Sequence, residues 1–142
     1  MGQRGEALTR RLRRLARALV DDPDSADALV IEALTAAEDG PADIRTLFAT
    51  LIARRRVQRV PSARRRAASQ GARPDIARAF EALPLQDREA IALVVVEELS
   101  YEDAAKVLDL GTEAFIIRLT QARAAFARLA EGERHVVLRL VK

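Results

Sequence analysis

Cysteine is absent from the 142-residue chain. That excludes a disulfide scaffold and a thiolate nucleophile, and it suits a reducing compartment. The single histidine, His135, leaves nothing from which to build a His-rich metal cluster or a Ser-His-Asp triad, and is expected to be a surface residue. Aromatic residues make up only 4%, while Ala, Leu, Val, Ile and Arg dominate, a mixture that favours helices over sheets. Long apolar runs are missing too. The longest, Ile91 to Val96, falls far short of the roughly 18 residues a membrane-spanning helix needs. The Arg-rich start, Met1 to Arg17, lacks the apolar centre of a signal peptide. No Gly-rich phosphate loop, metal-ligand cluster or paired carboxylate in a plausible cleft is present. The expectation is therefore a cytoplasmic, non-enzymatic protein with no cofactor, no small-molecule substrate and no membrane partner.

Apolar residues, at 49%, suffice for packed cores. The formal charge of +3 hides an asymmetry: residues 1–73 hold 15 Arg against 9 acidic residues, and residues 74–142 hold 9 basic against 12 acidic. A polyanion would meet the first half more readily. Twenty-two of the 24 basic residues are Arg, whose planar fork suits phosphates and base edges, although a high-GC genome would enrich Arg equally well.

Helical periodicity organises the chain. Leu8, Leu12, Leu15, Ala16 and Leu19 share one face of a first helix. Asp21-Asp22-Pro23-Asp24 supplies turn and capping chemistry before a second, with Leu29, Val30, Ala33, Leu34 and Ala37 on one side. Gly40-Pro41 ends it, and a third run with Ile44, Leu47, Phe48, Leu51 and Ile52 leads into Arg54-Arg55-Arg56. From Val60 to Pro74 periodicity lapses into Pro, Ser, Gly, Gln and Arg, the pattern of a linker. A short helix around Ile76 to Ala82 follows, then a helix started by Pro84 and running through Arg88 to Glu97. Ser100 and Asp103 have capping-box spacing and open another helix, which ends at Leu108-Asp109-Leu110-Gly111. Thr112, a good N-cap, opens the last, which carries Phe115, Ile116, Leu119, Ala122 and Phe126 and closes near Ala130. The boundaries expected are 1–59 and 75–131 for two helical domains, 60–74 for the linker and 132–142 for a tail.

A capped helix of about eight residues, a short turn and a longer helix outline a helix-turn-helix, with small Ala104 and Ala105 where two helices cross closely. Leu83-Pro84-Leu85-Gln86-Asp87-Arg88-Glu89-Ala90, then Leu99-Ser100-Tyr101-Glu102-Asp103-Ala104-Ala105, then Arg118-Leu119-Thr120-Gln121-Ala122-Arg123 resemble the −35-reading domain of extracytoplasmic-function sigma factors. Upstream, Asp24 to Glu32 and Ile44 to Ile52 resemble, more loosely, the first domain of that family. The resemblance implies an all-α protein of two small helical domains, the second a winged-helix-like helix-turn-helix. It implies core RNA polymerase, promoter DNA and an anti-sigma protein as partners, with the first domain docking on polymerase and melting the −10 element.

The resemblance also assigns roles. Arg118, Gln121 and Arg123 are expected to read base edges, with Thr112 at the start of the recognition helix. Arg88 and Tyr101 are expected to touch phosphate and hold the register. Seven Arg lie between Arg54 and Arg66, and among them Arg54, Arg55, Arg56 and Arg59 are expected to bind DNA through counterion release. No aromatic is interleaved with them, so a stacking platform for melted strands is lacking. Asp27, Leu29, Ile31 and Glu32 occupy the positions with which the family grips polymerase.

Several residues depart from the family pattern. Ile116 and Ile117 stand where it has lysine and serine, Glu113 brings a carboxylate towards phosphates, and Asp109 replaces a turn glycine. An apolar pair on that helix is either buried by a shifted register or offered to another protein. The chain accordingly also resembles the sigma-like domain of alphaproteobacterial general-stress regulators, which imitates a sigma factor to bind an anti-sigma protein, although no receiver domain follows before Lys142.

Overall fold

Helix α1 (Gly2–Leu19) buries Leu12, Leu15, Ala16 and Leu19 completely and turns Arg10, Arg13, Arg14 and Arg17 outward. The i, i+3, i+4, i+7 spacing of these four apolar residues decides this, because those positions share one side of a 3.6-residue helix. The computed structural model describes residues 2–37, 43–57 and 75–141, with side chains described for 5–37, 43–57 and 76–132. The expected linker at 60–74, Arg59, the Gly40-Pro41 break and the His135 side chain lie outside these.

Helix α2 (Pro23–Ala36) begins as its sequence dictates. Pro23 supplies the fixed φ of a first helical residue, and the Asp22 carboxylate accepts hydrogen bonds from the Ser25 amide at 3.2 Å and the Ser25 hydroxyl at 2.8 Å. It buries Ala26, Leu29, Val30 and Ala33. Helix α3 (Ile44–Val57) is capped by Asp43, which accepts from the Thr46 amide at 2.9 Å and buries Leu47, Phe48, Leu51 and Ile52 below it. That backbone hydrogen bond, ahead of the contact with Arg45, holds the Asp43 carboxyl below its ordinary value. A depressed carboxyl contributes above its unfolded pKa and loses its contribution as pH falls through the folded one, so this cap survives moderate acid. Helices α1, α2 and α3 pack pairwise into one bundle.

The second group is α4 (Asp75–Glu81), α5 (Leu85–Ile91), α6 (Tyr101–Val107) and α7 (Thr112–Val141), and the first three all pack on α7. Phe115, Leu119 and Ala122 of α7 are buried among Ala90, Leu93, Ala104, Ala105 and Leu108. The small side chains of Ala104 and Ala105 let α6 cross α7 closely, as expected from the sequence. No strand occurs among the described residues, and none of their helices is long and apolar enough to cross a membrane.

Three local features differ from the sequence reading. The capping box on α6 is half formed: Ser100 Oγ accepts from the Asp103 amide at 3.1 Å, but the short Asp103 carboxylate accepts from Arg45 of α3 at 2.9 Å. Helix α7 does not close near Ala130 but continues to Val141, since Gly132 is followed by neither a proline nor a capping residue. Its first intrahelical bond, from the Phe115 amide at 3.0 Å, ends on Gly111, which places the cap one residue before Thr112. Replacing Ser100 by alanine is expected to cost about 1 kcal/mol, read from the midpoint of chemical denaturation.

Candidate nucleic-acid interface and the contacts between the helical groups

The turn between α6 and α7 sets the attitude of the second helix, and it closes by backbone geometry. Asp109 takes a left-handed conformation with φ of 56°. The Leu110 amide returns to the Ala105 carbonyl at 2.9 Å and the Asp109 amide to Lys106 at 3.1 Å, the paired bonds of a Schellman ending. Aspartate tolerates this region where a β-branched residue does not. Asp109→Val is therefore expected to cost about 1–2 kcal/mol while Asp109→Gly is close to neutral, both read by thermal melting.

Ahead of α6 the chain widens. Ala92–Val96 forms a π-helical turn continuous with α5, with the Glu97 amide donating to the Ala92 carbonyl at 3.0 Å. Glu98 then turns left-handed, also with φ of 56°, and the Leu99 amide donates back to Leu93. This ending leaves the Glu97 side chain wholly buried, facing α1.

On α7 the outward face carries Glu113, Ile116, Ile117, Thr120, Gln121 and Arg123. Ile116 and Ile117 are 40% and 60% exposed, so the register is not shifted to bury them. Arg118 is half-buried and lies on the same flank as exposed Gln121. Arg123 is five residues beyond Arg118, which at 100° per residue puts it about 140° around the helix. It lines a different feature, an open apolar groove of about 690 Å³ between α4, the π turn and α7. Ile76, Phe80, Val95 and Phe126 line it as well, and Ile76 and Val95 are more than half exposed. The sequence reading named none of these four as partner contacts; the only hint was the unbroken Val94-Val95-Val96 run. Tyr101 is 40% exposed and leans on Phe115, with ring centroids 6.3 Å apart.

The remaining expected contacts are redistributed by a close apposition of the two helical groups. Glu97 accepts from Arg14 at 2.8 Å and from Arg11 at 3.3 Å, and Glu89, also wholly buried, accepts from Arg56 at 2.8 and 3.3 Å. Arg88 donates to the Ala18 carbonyl at 2.8 Å and to Asp21 at 3.2 Å, with its guanidinium over the Phe80 ring. Arg45 reaches Asp103. Hydrogen bonds and charges of these carboxylates hold the Arg14, Arg56 and Arg45 guanidiniums above their ordinary pKa. Buried residues of both groups accordingly form one contiguous cluster.

Three expectations are corrected by this geometry. Arg88 is 3% exposed and is spoken for by α1, so it is closed to phosphate in this arrangement. Arg55 is buried and donates to the Leu19 carbonyl at 3.2 Å, which makes it a bundle residue. Leu29 is fully buried in the first core and offers nothing to a partner. Of their neighbours, Arg54 is exposed, Arg56 is tied to Glu89, Ile31 is 64% exposed beside exposed Glu32, and Asp27 stands 3.8 Å from Arg13. Among the described residues no acidic or histidine cluster could hold a metal ion.

Residues 73–126, which contain α4 to α6 and the outward face of α7, match the family model for sigma-70, region 4. This C-terminal part of the chain is a sigma-70 region 4 domain, a DNA-binding module of a family whose function is not enzymatic. No curated protein matches the chain in sequence. In structure it is similar to the sigma factor RpoE of Bartonella quintana, solved in complex with the anti-sigma factor NepR, with a TM-score of 0.71 and 25% identity over 92% of this chain and 96% of that one. The likeness thus spans both helical groups and extends well beyond region 4.

Proposed function

We propose that this chain is an extracytoplasmic-function sigma factor that works in the cytoplasm, joining core RNA polymerase and directing it to promoters. The observation that carries the reading is the whole-chain likeness to a sigma factor, region 4 together with the preceding three-helix bundle. In this reading residues 1–59 form the polymerase-docking and −10 domain, 75–131 the −35 domain and 60–74 the linker between them. Tyr101, Thr112, Arg118 and Gln121 meet DNA, the first two and Gln121 being exposed. Ile31 and Glu32 meet polymerase. Arg54 and Arg59 add non-specific attraction for phosphates, and Arg56 and Arg88 become available only when the two groups part.

An anti-sigma protein is the partner suited to the closed form. The apolar groove around Phe80 and Phe126, with Arg123 at its edge, has the shape and chemistry to take the apolar face of a helix bearing an acidic residue. The RpoE structure with NepR supports a partner of this class.

A second reading, a sigma mimic that binds an anti-sigma protein without reading promoters, is favoured by one observation. Ile116 and Ile117 are exposed beside Glu113 on the helix that should meet DNA. Reconstitution with core polymerase at low salt, followed by run-off transcription from a two-element promoter, separates the readings. A sigma factor joins core and yields transcript. A chain that fails to join core, yet loses an anti-sigma complex on Ile116→Lys or Ile117→Ser, is the mimic.

A further inference from the structure

The outer face of α1 carries a row of arginines. Arg10, Arg13, Arg14 and Arg17 recur there at i, i+3, i+4 and i+7 and line a shallow groove of about 390 Å³. No acidic and no apolar residue lines it. The helix holds six Arg against one acidic residue, Glu6. Like charges three and four residues apart weaken a helix, and a face meant only for solvent is better served by interleaved carboxylates. Two of the four guanidiniums have partners: Arg14 is held by Glu97, and Arg13 stands 3.8 Å from Asp27 with both side chains about half exposed. Arg10 and Arg17 make no ion pair with any described residue.

We propose that this face is a binding site for the phosphate backbone of nucleic acid, separate from the recognition helix. Arg10 and Arg17 lie about 10 Å apart along the helix axis, which matches the axial rise of about three phosphates of one strand when α1 lies along a duplex. Planar guanidinium forks on a rigid helix suit bidentate capture of phosphate oxygens. An acidic protein fits less well, because protein interfaces centre on apolar or aromatic anchors and this groove is lined by arginine side chains alone. Arg14 also donates to Glu97 of the second helical group, so phosphate in the groove competes with Glu97 for the same side chain.

The site rests on the DNA-engaging reading above only for the identity of its polyanion, and its test needs neither polymerase nor promoter. The full chain is titrated against a fluorescent mixed-sequence duplex of about 25 base pairs at several salt concentrations, and the slope of log K on log salt is measured. The double variant Arg10→Gln/Arg17→Gln removes two side chains without described partners and is expected to reduce that slope by about 1.8. Circular dichroism checks that it is folded. A folded variant whose slope equals that of the wild type overturns the site, as does polyglutamate bound as tightly as duplex of equal charge. If the slope falls in a chain that never joins core polymerase, the site stands and the sigma reading fails. If the chain joins core while the slope is unchanged, the site fails alone.

Discussion

Replacing Phe115 by alanine is expected to remove about 3–5 kcal/mol of stability, enough to unfold region 4 at moderate temperature. Phe115 is fully buried, sits in the first turn of α7 and contacts Tyr101 across the turn from α6. The truncation combines a lost transfer free energy with a cavity that α5, α6 and α7 cannot collapse into together, because each is held by a separate cap or turn. In a domain of this size each kcal/mol lowers Tm by about 4–8 °C, so the melting shift is large. Phe126→Ala, half-buried at the edge of the apolar groove, is the comparison and should cost distinctly less. A Phe115→Ala loss below about 1 kcal/mol in urea denaturation would contradict the packing described.

Glu97→Ala is expected to release the two helical groups from each other. Its carboxylate is the common acceptor for Arg11 and Arg14, and it is wholly buried while those side chains are 34% and 56% exposed. Their partial hydration lowers the penalty for leaving them unpaired below that of a fully buried pair. Charge-assisted hydrogen bonds of this kind contribute about 2 kcal/mol, or roughly a 30-fold change in the closed-to-open ratio. The absence of native cysteine makes the measurement direct, since Ala36→Cys on α2 and Ala124→Cys on α7 are exposed and give unique labels for energy transfer. Transfer efficiency should fall in Glu97→Ala and, more mildly, as salt is raised. An unchanged efficiency in both experiments would mean that the shared apolar cluster alone holds the groups together.

Much of the helix-turn-helix was legible in the sequence because its signals are local. Ser100 caps α6 through an amide three residues away, Asp109 was recognised as tolerant of the left-handed turn, and Ala104 and Ala105 marked the close crossing. Leu12, Leu15, Phe48, Leu119 and their partners announced the buried faces through periodicity alone. The end of α7 was less legible, since Gly132 resembles a stop signal without the residues that complete one.

The sequence by itself determined the helical class, the order and faces of the helices, and the sigma-70 resemblance, because capping, turn geometry and amphipathic spacing act within a few residues. Only the tertiary structure decided which charged residues remain available. Arg11 meets Glu97 from 86 positions away, Arg88 meets Ala18 from 70 and Arg56 meets Glu89 from 33. No periodicity encodes such pairings. They arise when two bundles present complementary charge around a shared apolar contact, and burial there strengthens each pair as water leaves. The same apposition turned Arg88 from an expected phosphate contact into a bond between the two helical groups, and left Arg10 and Arg17 of α1 outside it.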